Sequence, residues 1–110
     1  QVQQIVSMLL NFAEKNPGMV RVLIGDALVH EDTRLQTRIN QLLDRIEVSL
    51  KQALQLAQAT AGSPATGTQA NAQANALAAF VIGRWQLFAK SGFKRAPSEF
   101  WAEQAALFRV

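Results

Sequence analysis

Apolar residues recur every three or four positions along most of the chain, and the breaks in that rhythm divide it into five predicted helices. In the first, Val2 to Lys15, the residues Ile5, Met8, Leu9 and Phe12 fall at i, i+3, i+4 and i+7 and define one apolar stripe. Asn16-Pro17 closes it, because a residue before proline avoids the helical region. The same pair opens the second helix, with Asn16 as N-cap and Pro17 in the first helical position. Val20, Leu23, Ile24, Ala27 and Leu28 form its inner face, and Gly25 is expected to weaken it only modestly. His30-Glu31-Asp32 interrupts the pattern, and Thr33-x-x-Gln36 reads as a candidate capping box for the third helix. That helix runs to about Ala57 on Leu35, Ile39, Leu42, Leu43, Ile46, Leu50 and Leu54, with Glu47 and Lys51 as a favourable i,i+4 pair.

The stretch ATAGSPATGT is rich in small and turn-forming residues and marks a flexible connection over about 59–69. A fourth helix is expected from about Ala70 to Ser91, and a fifth from Pro97 or Ser98 to the end. Both are apolar nearly all round. Such a helix is buried on more than one side, and only three other helices remain to cover these two. The economical arrangement is a second copy, with two helices from each protomer making a four-helix interface about a two-fold axis. The expected seam comprises Leu77, Phe80, Val81, Arg84, Trp85 and Phe88, then Phe100, Trp101, Gln104 and Phe108. Alanines at 72, 74, 76, 78 and 79 would permit close approach. The alternative is a hairpin buried within one chain.

Length and composition narrow the chemistry. The 110 residues make one domain, 1–110, all-α and able to bury a core without staples. There is no cysteine, which excludes disulfides and thiolate metal sites. No apolar run approaches the roughly 18 residues that span a bilayer, and the N-terminus lacks the features of a signal peptide. The chain starts without methionine and already in helical period, as a piece of a longer protein would. Of the net charge of +3, the excess lies at Arg84, Lys90, Lys94, Arg95 and Arg109, too dispersed to argue for nucleic acid. Asp26 and His30 offer two metal ligands at i,i+4 without a third. No nucleophile elbow or phosphate loop is present. The expectation is therefore a binding module without cofactor, metal or catalytic residues.

The string RLQTRINQLLDRIEVSLKQAL (34–54), preceded by NFAEKNPGMVRVLIGDAL (11–28), closely resembles the C-terminal domain of nucleoid-occlusion factors in the TetR regulator family. The Ser91-x-Phe93-Lys94-x-x-Pro97 stretch is similar too. The resemblance implies a homodimer built on the last two helices and an N-terminal helix-turn-helix, absent from this chain, that binds specific DNA. It implies a cytoplasmic, nucleoid-associated division inhibitor whose partner is the C-terminal tail of the tubulin-like protein FtsZ. Carried over by position, the tail-contacting residues are Met8, Asn11, Lys15 and Asn16. Asn16 is identical in the family, Lys15 replaces an arginine, Met8 a leucine, and Asn11 a glycine. Met8, Asn11 and Lys15 share one helical face and offer an apolar contact, an amide and a cation. For Met8 a core position, and for Asn16 a purely capping role, are the alternatives. A TetR-like effector domain that binds an apolar small molecule is the alternative function.

Overall fold

A computed structural model describes residues 1–25, 32–62 and 67–110. The described residues form α1 (Val2–Lys15), α2 (Pro17–Leu23), α3 (Thr33–Thr60), α4 (Gly67–Lys90) and α5 (Trp101–Gln104), followed by a 3-10 turn, Ala105–Phe108. No strand occurs among them. α4 packs along α3 and crosses α1 and α2. The Cα envelope measures 46 × 30 × 17 Å, so the chain is a slab about two helices thick. Its radius of gyration is 14.7 Å, above the roughly 13 Å expected of a compact chain of this length.

The core is a continuous cluster that draws on every helix. Val6, Leu10, Val20, Leu50 and Leu77 are wholly inaccessible to solvent. Each such side chain contributes about 1.5–3 kcal/mol. On α1 the buried positions are Val2, Val6, Leu10 and Ala13. The expected stripe sits about a quarter-turn round the helix, with Ile5 and Leu9 half-buried and Met8 and Phe12 exposed. α1 thus carries two apolar stripes, and only one of them is core.

The helix ends differ from expectation in four places. The Asn16 side chain donates to the Phe12 carbonyl at 2.9 Å, closing α1, and makes no side-chain bond to α2. Its backbone carbonyl accepts from the Met19 and Val20 amides. α2 stops at Leu23 because Gly25 adopts a φ of 77°, the left-handed conformation that terminates helices. Ala27 and Leu28 lie outside the described residues. Asp32, not Thr33, caps α3 by accepting from the amides of Arg34 and Leu35 at 3.0 and 3.2 Å. α3 continues to Thr60 and α4 begins at Gly67, so helix takes over both ends of the expected 59–69 linker.

The fifth helix is shorter than its apolarity predicts. Ser98 does not start it, because its amide and hydroxyl both donate to the Glu14 carboxylate of α1. Phe100, at φ 62°, turns the chain before Trp101. Both tryptophans then tie the C-terminal half to α1. Trp85 Nε1 donates to the Leu9 carbonyl at 3.1 Å, and Trp101 Nε1 donates to the Gln3 carbonyl at 3.4 Å.

Candidate functional site

The outer face of α1 presents Met8, Asn11 and Lys15, all exposed, with Asn16 exposed at its end. Asn11 Nδ2 lies 3.4 Å from Ser7 Oγ, leaving the amide turned along the helix surface. The four residues expected to meet a partner are therefore all accessible, and Met8 is not a core residue. Asn16, however, already spends one amide hydrogen on Phe12.

Beside this face runs an apolar groove of about 360 Å³. Met8, Leu9 and Phe12 of α1 form one wall, Met19 and Leu23 of α2 an end, and Leu42 and Ile46 of α3 the other wall. Trp85 of α4 forms the floor. Among the described residues no charged or polar-headed side chain other than the Trp85 indole lines it. Met8, Phe12, Met19 and Leu42 each leave 40% or more of their surface to solvent, so the groove is open and its rim unsatisfied. The floor is rigid, since the Trp85 ring is buried and its N–H is anchored on α1.

The sequence pattern counted Phe12 and Leu42 only as members of the apolar stripes of their helices and passed over Met19. The available signal was the doubled stripe of α1. A helix with Val2, Val6 and Leu10 on one line and Ile5, Met8, Leu9 and Phe12 on another has more apolar surface than one contact can cover. The i,i+3,i+4 spacing of the second line hid the first.

The residues expected at a dimer seam divide into two groups. Leu77, Val81, Trp85, Phe88 and Trp101 are buried within the chain itself and present no surface to a second copy. Their burial accounts for much of the apolarity of α4. Phe80 and Phe108 are half-buried and pack on each other at 5.1 Å between ring centres, with Phe80 also 5.5 Å from Trp101. Arg84 is largely covered, donating to Gln104 at 2.7 Å, facing Glu99 at 3.9 Å and lying over the Phe80 ring. Phe100 stays exposed.

On the far side of α4 lies a different line. Ala72, Ala76, Ala79 and Leu87 are exposed and Gly83 is half-buried, all on the side away from the core positions Ala74, Ala78, Val81 and Trp85. A Cβ added at Gly83 would meet nothing within 4 Å. Exposed Phe100 and Leu107 add apolar surface on the segment that follows α4.

Among the described residues no group of three acidic, histidine or cysteine side chains is placed to hold a metal, and no helix is long and apolar enough to cross a membrane. Asp26 and His30 lie outside the described residues. The basic excess does not form one patch, since Arg84 is turned inward while Lys90, at the end of α4, and Lys94 and Arg95, on the turn after it, are exposed.

The whole chain, residues 1–110, matches the family model for the SlmA-like C-terminal domain, described as tetracyclin repressor-like. Similar curated proteins are nucleoid occlusion factors SlmA. That of Marinomonas sp. (strain MWYL1) is 44% identical over 105 residues, covering 94% of this chain and 52% of the relative. That of Alteromonas mediterranea is 42% identical over 107 residues, covering 97% and 54%. That of Salmonella newport is 42% identical over 99 residues, covering 90% and 50%. The chain spans about half the length of these relatives. With all of its residues covered by that family model, the chain belongs to the SlmA-like family of tetracyclin repressor-like C-terminal domains.

Proposed function

We propose that this domain works by binding, as the dimeric regulatory part of a nucleoid occlusion factor. In the intact protein an N-terminal helix-turn-helix domain holds it on specific chromosomal DNA. The domain captures the C-terminal tail of FtsZ on the outer face of α1, and DNA-bound dimers antagonise assembly of the division ring over the nucleoid. The observation that carries this reading is the face of α1 itself. Met8, Asn11 and Lys15 are exposed together, and Met8 continues into an apolar groove with a rigid floor. A peptide with a carboxylate and apolar side chains finds a cation at Lys15 and apolar surface from Met8 to Leu42. Dimerisation through the small-residue line of α4 and the exposed Phe100 and Leu107 leaves that face free.

A synthetic FtsZ tail peptide, titrated against this chain, tests the reading. Lys15→Glu replaces attraction by repulsion at an exposed position and should weaken binding at least tenfold without lowering thermal stability. Equal affinity in the variant would remove Lys15 from the site.

The groove supports a second reading. Its volume of about 360 Å³ falls in the range of small-molecule sites, so an apolar effector would also fit. A neutral apolar ligand would bind Lys15→Glu as well as the parent and lose affinity in Leu42→Asp.

A further inference from the structure

The chain has two methionines, and α1 and α2 bring both to the same groove. Met8 is 60% and Met19 48% exposed, so neither sulfur belongs to the core. Exposed thioethers are readily oxidised, and no cysteine competes for the oxidant. We propose that Met8 and Met19 are a modification site at which a hydroperoxide switches the groove from apolar to polar and so releases the bound peptide. This rests on the reading that the peptide's apolar residues lie in the groove beside α1.

With hydrogen peroxide the step balances simply. The sulfur lone pair attacks one peroxide oxygen, an S–O bond forms and the O–O bond breaks. The proton on the attacked oxygen passes to the departing hydroxide, which leaves as water. Sulfur loses two electrons and the peroxide gains them; methionine sulfoxide reductases reverse the change. A sulfoxide oxygen is a strong acceptor, and the described residues lining the groove offer no free donor to meet it. Among those residues the one polar side-chain hydrogen, the Trp85 indole N–H, is already given to the Leu9 carbonyl at 3.1 Å. The new oxygens therefore stay bound to water, and a docking peptide has to strip them. Because both side chains already face solvent, the same oxidation leaves the folded core unchanged.

The experiment compares tail-peptide affinity before and after mild peroxide treatment within each of two proteins, the parent chain and Met8→Leu/Met19→Leu. Mass spectrometry verifies two added oxygens in the parent. The parent should lose about tenfold or more in affinity on oxidation, at unchanged thermal stability, and regain it after sulfoxide reductase treatment. The double variant, whatever its own affinity, should show no change with peroxide. Equal affinity of the oxidised and untreated parent would overturn the switch while leaving peptide binding intact. An equal peroxide loss in the double variant would also overturn it. No binding by the untreated parent would overturn the peptide reading and the switch together.

Discussion

The Asp32 carboxylate accepts from two of the amides left without partners at the start of α3. Thr33, one residue on, is already helical and leaves its carbonyl to the Thr37 hydroxyl at 2.9 Å. Asp32→Ala should therefore cost about 0.5–2 kcal/mol, the usual range for a lost N-cap. Thr33→Ala should cost much less. Urea denaturation of the two variants checks this, and a larger loss in Thr33→Ala would restore the capping box that the Thr33-x-x-Gln36 spacing predicts. The reason spacing misleads here is local: aspartate and threonine are both good caps, they stand side by side, and a carboxylate accepts two amides at once. Asn16 shows the same ambiguity. Its side chain reaches back to α1 instead of forward to α2, so one residue that the sequence reads as a start acts as a stop.

At the scale of elements, helical periodicity made α1, α3 and α4 legible, because each is long enough for its core line to repeat several times. What periodicity conveys less well is which of two apolar lines faces inward. α1 buries Val2, Val6, Leu10 and Ala13 and exposes Met8 and Phe12, a choice that tertiary packing makes and that helical period alone does not carry. The groove was illegible for that reason, although the resemblance singled out Met8, Asn11 and Lys15, which share an exposed face of α1. α4 shows the converse case. Its bulky residues, expected at a seam, are the core; its smallest residues, Ala76, Ala79 and Gly83, are on the outside. Gly83 separates the two roles experimentally. A Cβ there meets nothing within 4 Å, so leucine starts from open space, and it improves helix propensity by about 0.8–1 kcal/mol. If helices of two copies approach closely along this line, Gly83→Leu should weaken the dimer by at least tenfold in sedimentation equilibrium while leaving helix content intact. Unchanged association would move the interface away from α4's outer line.

At the scale of the whole molecule, the described helices leave open the apolar groove around Phe12 and Met19 and the outer line of α4 with Phe100 and Leu107. A slab about two helices thick cannot cover both, since every helix already gives one face to the shared core. Covering the α4 side by a second copy makes folding and association one equilibrium. Stability then depends on protein concentration, which a self-sufficient monomer does not show. Across a roughly hundredfold range of concentration the folded dimer gains about 2.7 kcal/mol relative to two unfolded chains. For a domain of this size that gain raises Tm by several degrees. Differential scanning calorimetry at the two concentrations reads it directly, and Gly83→Leu should flatten the dependence by removing the association term. A Tm independent of concentration in the parent would mean that the small-residue line stays open to water, and with it the argument for a two-fold partner would fall.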